Sequence, residues 1–178
     1  ACEWQDDGLL FVFRSASALQ EFGDTDAFLA EEFDVAASLI PGTELQDFDP
    51  AFRDGLAGAY RYEGDGCLRP DKLNTSWAKW LSSRDVTFIE QCRLETVPKS
   101  NGRVSSLLTS EGRMAADHYV FATGAWSSRL AADLNCRIPV EPGKGYSVTM
   151  TRPETMPRYP MLFPEAHIGV TPFADSYR

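Results

Sequence analysis

The chain has 178 residues, of which 43% are hydrophobic, 24% charged and 12% aromatic, a balance typical of a globular protein with a buried core. Its formal net charge of -9 argues against a nucleic-acid partner, because binding to the phosphate backbone needs a concentrated basic surface. No apolar run approaches the ~20 residues of a membrane-spanning helix, so no transmembrane segment is expected.

The charge is unevenly distributed along the chain. Residues 1–66 hold 15 acidic and three basic side chains, whereas residues 67–178 hold 11 acidic and 14 basic ones. A change of this size within one chain indicates two regions with different surfaces. It predicts a domain boundary near Gly64–Gly66.

The residue types that bind metals are scattered. The four cysteines form no CxxC pair, and the two histidines, His118 and His167, are far apart in sequence. Neither a zinc site nor a redox dithiol is therefore expected, and no metal ligands are assigned. Cysteines that stay reduced are typical of a cytoplasmic compartment, which is the expected location.

The first third of the chain predicts two strands around a helical region. Gly8–Phe13 is an apolar run typical of a buried strand, and Ser15 then offers a helix N-cap. Apolar residues recur at helical spacing through residues 19–33, but Gly23 interrupts them, so one broken helix and two short helices both remain open. Ala59–Tyr62 predicts the second strand.

The central part predicts a helix followed by strands. Pro70 suits the first position of a helix that places Trp77 and Trp80 on one side, where we expect them in the core. Val86–Ile89 would be the strand that this helix leads into. Cys92–Val97 and Val104–Thr109 predict a hairpin closed by the turn at residues 100–102.

The strongest local pattern is a strand, a turn of small residues and a helix start. Tyr119–Ala122 is a short apolar run typical of a parallel strand covered on both faces. Thr123 and Gly124 end it, and a helix should follow and stop at Asn135. In open α/β sheets ligands bind beyond the carboxyl ends of strands, so this corner is a candidate cofactor site, with an ordinary β-α corner as the alternative. Tyr146–Met150 predicts a last strand.

Two other sites are excluded by their patterns. Pro142–Gly145 lacks the GxxxxGK[ST] spacing of a phosphate-binding loop, and a strand rather than a helix follows it. Asp117-His118 lacks the GxSxG element that a hydrolase triad of this kind would need.

An ordered series of segments resembles a known family. The series comprises Gly58–Tyr60, Asp65-Gly66, Pro70–Leu73, Val86, Leu94, Gly102–Val104, Ala116-Asp117, Val120, Ala122–Ser127, Pro139-Val140 and Pro142–Ser147. Together these segments resemble the FAD-dependent D-amino acid oxidase superfamily. Within it, Lys144–Ser147 is most similar to the small subunit of bacterial D-amino acid dehydrogenases.

This resemblance implies an α/β fold (α+β overall) that contains part of a doubly wound FAD-binding domain and part of an antiparallel-sheet substrate domain. Residues 1–66 and 139–178 would belong to the substrate domain, and residues 67–138 to the FAD domain. The implied FAD contacts are Leu94, Ala122, Thr123, Gly124, Ala125 and Trp126. Tyr146 and Arg178 are the candidates for binding an amino acid or amine substrate, and no catalytic residue is assigned.

The implied reaction is hydride transfer from the CH-NH2 group of a D-amino acid to the flavin, which gives a 2-oxo acid and ammonia after hydrolysis. The family's GxGxxG turn and its closing flavin segment are missing from this sequence, and Asp85 stands where a Gly is typical. We therefore expect an internal fragment of a longer enzyme, inactive by itself and with some tendency to self-associate.

Several points stay open at this level. A self-contained ligand-binding module and an interaction domain are the alternatives from other functional classes. The identity of the substrate, the electron acceptor and peripheral attachment to the inner membrane are also undecided.

Overall fold

A computed structural model describes residues 2–178, which divide into two compact units. The first unit holds the residues up to Arg84 together with Ser147–Arg178, and the second holds Asp85–Tyr146. The three-part division at residues 66 and 138 stays a prediction. None of the described helices is long and apolar enough to cross a membrane.

Within the described residues the chain forms twelve strands and four α-helices. The strands are β1 (Leu9–Phe13), β2 (Ser38–Pro41), β3 (Gly58–Tyr62), β4 (Leu94–Thr96), β5 (Lys99–Ser100), β6 (Arg103–Val104), β7 (Leu107–Thr109), β8 (Gly112–Met114), β9 (Met150–Thr151), β10 (Met161–Phe163), β11 (Ile168–Val170) and β12 (Ser176–Tyr177). The helices are α1 (Ala16–Phe33), α2 (Leu45–Phe48), α3 (Pro70–Ser82) and α4 (Ala131–Leu134). The mixed α/β class is confirmed.

The first unit is built on a five-stranded sheet in the order β11-β10-β1-β3-β2. β10 runs parallel to β1, and the other neighbours are antiparallel. Alternation along β1 gives the sheet two different faces, because successive side chains of a strand point to opposite sides. One face forms the buried core: Leu10, Val12, Ile40, Leu45, Phe52, Ala59 and Met161. Each large side chain buried there contributes about 1.5–3 kcal/mol.

The other face of this sheet is covered by α1. Phe22 of the helix stacks on Phe11 of β1 with ring centroids 5.0 Å apart, and it also contacts Phe13 and Tyr60. α1 is one continuous helix of 18 residues, which settles the choice left open by Gly23. A Cβ at residue 23 would lie 3.0 Å from the Tyr60 hydroxyl, so the glycine lets the helix approach the sheet.

The N-terminus of α1 is fixed by two side chains. The Ser15 hydroxyl accepts a hydrogen bond from the Ala18 N–H (3.3 Å), which confirms the predicted N-cap. The Glu165 carboxylate accepts from the Arg14 N–H (2.6 Å) and from the Ser15 hydroxyl (2.7 Å). These hydrogen bonds lower the pKa of Glu165, because they favour the ionised carboxylate.

The second unit contains a three-stranded antiparallel sheet in the order β4-β7-β8, and β5 and β6 form a separate hairpin. The hairpin turn is Asn101-Gly102, and both residues have positive φ (53° and 75°), as a type I′ turn requires. This confirms the predicted turn, and the strands predicted at residues 92–97 and 104–109 contain β4 and β7, which pair antiparallel. A 3-10 helix, Gly124–Leu130, leads into α4, which ends at Asn135 in the left-handed conformation, also as predicted.

Three expectations from the sequence are wrong in detail. Val86–Ile89 and Tyr119–Ala122 are not strands, because no strand forms alongside them among the described residues and their backbone groups join no ladder. Of the predicted strand at residues 146–150, only Met150 lies in a strand, β9.

The two tryptophans of α3 are not in the core. Trp77 is 56% exposed and Trp80 50% exposed, and α3 buries no residue among those described. The helix itself begins at Pro70 as predicted. Its apolar stripe is real, but helical periodicity cannot show what packs against the stripe.

Arg69 connects three segments of the first unit. Its guanidinium pairs with both Asp71 oxygens (3.1 and 2.9 Å) and with Asp175 (2.8 Å), and it lies 5.0 Å from the Phe173 ring centroid. Glu3, which also pairs with Lys72, is a further partner of Arg69 at 3.8 Å. Arg69 therefore joins the N-terminal segment, the start of α3 and the segment around Asp175.

We expect this network to make stability depend on acid pH. The hydrogen bonds and charge of Arg69 lower the pKa of Asp71 from 3.8 to about 2. A carboxyl group whose folded pKa is lowered stabilises the folded state above its unfolded pKa, and that stabilisation is lost as pH falls through the folded value. In thermal unfolding, the melting temperature of wild type should exceed that of Asp71→Asn above pH 4, roughly, and the difference should disappear toward pH 2, roughly. Asp54→Asn, at an exposed position without an ion pair among the described residues, is the control. An Asp71→Asn difference that persists at the acid end would contradict this account.

Candidate functional site

A cavity of about 670 Å³ lies within the second unit, in front of the small-residue corner. Its lining residues are Arg93, Leu94, Ala122, Thr123, Gly124, Trp126, Arg129 and Leu130. Five of the six residues predicted to contact FAD are thus brought to one cavity, and only Ala125 is absent from its lining. The volume lies in the range of small-molecule and cofactor sites, ~300–1,000 Å³.

The corner wall of the cavity is formed by tightly turned backbone. Gly124 has φ 53°, a conformation that costs glycine nothing, and a Cβ placed on it would meet no atom within 4 Å. The Trp126 N–H donates to the Thr123 carbonyl (3.1 Å), which closes the first turn of the 3-10 helix. Thr123 and Ser127 share a hydrogen bond between their hydroxyls (3.0 Å). The space above this corner is open, and no side chain of the described residues fills it.

The opposite wall comes from the β-sheet of the same unit. Leu94 begins β4 and pairs with Thr109 of β7. The preceding residue, Arg93, donates its N–H to the Ser110 hydroxyl (3.0 Å) and accepts from the Ser110 N–H (2.9 Å). These bonds continue the β4-β7 pairing past Leu94 and fix the backbone at this edge of the cavity.

Three lining residues were not identified from the sequence: Arg93, Arg129 and Leu130. A signal for Arg129 was present, because residues three apart in a 3-10 helix lie on one side and Trp126 was already a candidate. Arg93 directly precedes the candidate Leu94, but sequence adjacency did not show that its side chain borders the cavity. Arg93 pairs with Glu95 (3.3 Å), whereas Arg129 has no ion pair among the described residues, so Arg129 is the side chain that suits an anionic ligand.

The two predicted substrate residues do not line this cavity. Tyr146 belongs to the second unit, is 87% exposed, and has the Lys144 ammonium 5.2 Å from its ring centroid. Arg178 belongs to the first unit, where its Nε donates to the Thr149 hydroxyl (3.1 Å) and its guanidinium lies 5.6 Å from the Phe173 ring centroid. Their role in substrate binding stays a prediction.

Residues 2–178 contain no group of three or more His, Cys, Asp or Glu side chains arranged to hold a metal ion. All four cysteines are free.

A family model described as FAD dependent oxidoreductase matches residues 1–177, nearly the whole chain. The chain belongs to this family. The cofactor of this family is FAD.

The curated relatives include several bacterial D-amino acid dehydrogenases. The protein of that name from Bradyrhizobium diazoefficiens is 31% identical over 149 residues, which cover 82% of this chain and 35% of the relative. The one from Vibrio atlanticus is 28% identical over 186 residues, covering 100% of this chain and 44% of the relative. The chain thus spans less than half the length of these relatives.

Solved structures show the same fold at low sequence identity. Glycine oxidase from Geobacillus kaustophilus superposes with a TM-score of 0.87 at 20% identity, over 99% of this chain and 48% of that one. L-proline dehydrogenase from P. horikoshii gives a TM-score of 0.78 at 16% identity, over 99% and 48% of the two chains. The family's fold is therefore present across this sequence.

The cavity fits one portion of FAD. Ala122, Thr123 and Gly124 leave the backbone accessible, Trp126 offers a flat ring, and Arg129 suits an anionic nucleotide. The strand, GxGxxG turn and helix that usually receive the diphosphate do not occur in the 178 residues. The described residues can therefore supply one wall of a flavin site.

Proposed function

We propose that this chain is part of a longer FAD-dependent enzyme that oxidises the CH-NH2 group of a D-amino acid. The observation that carries the proposal is the cavity, which gathers Leu94 and most of the Ala122–Trp126 corner in one place. Relatives named D-amino acid dehydrogenase at about 30% identity support the substrate class. Their greater length supports the view that the complete enzyme needs more chain than these 178 residues.

In this proposal the second unit holds the nucleotide by its backbone and by Arg129. Leu94 and Ala122 form apolar walls, Gly124 permits close approach, and Arg129 neutralises negative charge. FAD, when bound, supplies the two-electron acceptor for the reaction. The residues of this chain contribute orientation and electrostatic complementarity. A cofactor held in a fixed position loses little further entropy when it reacts with a bound substrate.

Tyr146 and Arg178 remain our proposed substrate contacts. A guanidinium presents a planar fork that matches the two oxygens of a carboxylate, and Arg178 uses only its Nε in its side-chain hydrogen bond to Thr149. The overall conversion takes the amino acid to an imino acid, which water converts to a 2-oxo acid and ammonia. We also propose that residues 1–66 and 139–178 serve the substrate and residues 67–138 the cofactor.

The two alternatives from other classes have less support. A self-contained binding module predicts that its apolar segments are buried, but none of the four residues of the apolar segment Tyr119–Ala122 is buried and Val120 is 89% exposed. An interaction domain without redox chemistry does not account for the match to a flavin enzyme family across residues 1–177.

The test uses the full-length protein, purified with its flavin and mixed anaerobically with single amino acids. Flavin bleaching is independent of the unknown electron acceptor. We expect a D-amino acid to bleach the flavin and to yield the corresponding 2-oxo acid, whereas its L-enantiomer does not. Arg178→Ala should raise the concentration needed for half-maximal bleaching about tenfold or more, since it removes a charge-assisted pair. A protein that purifies without flavin, or that is reduced only by L-amino acids, would refute the proposal.

A further inference from the structure

A second surface of the molecule, on α1 of the first unit, combines exposed apolar side chains with unbalanced negative charge. Its apolar members are Phe28, Phe33 and Val35, which are 56%, 62% and 45% exposed. Phe28 and Phe33 contact each other edge to face with centroids 5.8 Å apart. We call these three residues, with the groove beside them, the α1 patch.

The groove of the α1 patch lies between the helix and the sheet and has a volume of about 310 Å³. It is lined by Phe11, Phe22, Thr25, Leu29, Val35, Tyr62 and Asp65. Its floor is held in place, because the Tyr62 hydroxyl donates to Asp26 (3.1 Å) and Asp26 also accepts from the Ala37 N–H (2.9 Å). An apolar side chain from outside could enter this groove without disturbing the core.

The chain segment that contains α1 carries charges of one sign. Residues 15–52 contain nine acidic side chains and no lysine or arginine. Glu21, Phe28 and Glu32 follow one face of α1 at spacings of seven and four, so exposed carboxylates flank the exposed ring on both sides. A cationic ligand would meet complementary charge on either side of Phe28.

The end of α1 is also electrostatically unfavourable by itself. Glu31 and Glu32 lie in its last turn and Asp34 is the C-cap, and this turn contains no basic residue. The C-terminus of a helix already carries partial negative charge, so carboxylates there repel it. Positive charge from a bound partner would relieve this repulsion, whereas an anionic membrane surface would increase it.

We propose that the α1 patch is a docking site for a partner protein segment that carries apolar side chains flanked by lysine or arginine. One apolar side chain fills the groove, a second packs on Phe28 and Phe33, and the flanking cations pair with Glu21 and Glu32. We infer a cationic segment, rather than a neutral or anionic one, because residues 15–52 carry acidic side chains and no lysine or arginine. The proposal is independent of the flavin chemistry and goes beyond it.

The test measures binding of a defined probe to the full-length protein. The probe is a fluorescein-labelled peptide, Lys-Leu-Phe-Lys-Lys-Leu-Phe-Lys, followed by fluorescence anisotropy. Phe28→Ser should weaken binding about tenfold, because it removes the central apolar contact. Glu21→Gln with Glu32→Gln should weaken it about fivefold at low salt, and added salt should weaken wild-type binding in the same direction.

Matched controls separate the patch from general acidity. Asp54→Asn with Glu154→Gln removes the same charge at exposed positions of the first unit outside α1 and should leave binding unchanged. A peptide with serine at its leucine and phenylalanine positions should bind at least about tenfold more weakly. The proposal is overturned if the full-length protein does not bind the probe, if the control pair weakens binding as much as the α1 pair, or if Phe28→Ser, shown by its melting curve to be folded, binds like wild type.

Discussion

Replacing Ala122 by phenylalanine in the full-length protein is expected to abolish tight FAD binding. Ala122 lines the cavity beside Gly124, where the chain leaves open space for a ligand. A phenyl ring at this position would occupy that space. FAD could then enter only if the backbone that forms the wall moved. We expect the dissociation constant for FAD to rise at least about 100-fold, equivalent to about 2.7 kcal/mol. Titration of the flavin-free protein with FAD, followed by flavin fluorescence, measures this directly.

The same substitution at a neighbouring position provides the control. Ala125 was predicted from the sequence to contact FAD, but it does not line the cavity. Ala125→Phe should therefore weaken FAD binding much less than Ala122→Phe, and Ala122→Ser should retain tight binding. The unfolding midpoint of each variant in urea must match wild type to exclude a general loss of structure. Equal effects at residues 122 and 125 would mean that the cavity is not the site of the cofactor.

Loss of the Asp49 carboxylate is expected to destabilise the first unit strongly. Asp49 is 1% exposed, and its two oxygens accept hydrogen bonds from the N–H groups of Ala51 (3.0 Å) and Arg158 (2.7 Å). It thereby joins the turn after α2 to a segment more than 100 residues away in the chain. Asp49→Ala leaves both donors without their acceptor in a buried place, and we expect a loss of about 2–4 kcal/mol in the free energy of unfolding.

Chemical denaturation of wild type and variants measures this loss. Asp54→Ala, five residues further on at an exposed position, removes the same group and should change the unfolding free energy by no more than about 0.5 kcal/mol. Asp49→Asn keeps the shape but turns one acceptor into a donor that faces an N–H group, so it should also be clearly destabilising. An Asp49→Ala variant as stable as Asp54→Ala would show that the two hydrogen bonds are not important for folding.

Local chemistry made several elements predictable. The start of α1 depends on the Ser15 cap, the start of α3 on Pro70, and the β5-β6 hairpin on the positive φ of Asn101-Gly102. Each of these signals involves residues within a few positions of one another. The residues that determine these helix starts and this turn are therefore neighbours in the sequence, and the structure confirms each prediction.

Predictions that required a distant partner were less successful. Tyr119–Ala122 has the composition of a buried strand, but a strand also needs neighbours that supply hydrogen bonds, and none forms beside it in the described residues. Trp77 and Trp80 lie on the apolar stripe of α3, yet no surface within the described residues buries them. Composition and periodicity indicate which side chains could be buried and do not show what is present to bury them.

The candidate site shows the same division. Leu94 and the corner at residues 122–126 were proposed from the order of motifs along the chain, whereas Arg93 and Arg129 became visible only when the wall of the cavity was assembled. The sequence by itself determined the family, the mixed α/β class and the caps and turns, because these depend on motif order and on contacts between near neighbours. Only the tertiary structure decided which side chains share the cavity and that Asp49 links distant segments. Such contacts arise when remote parts of the chain pack together, and no local spacing specifies them.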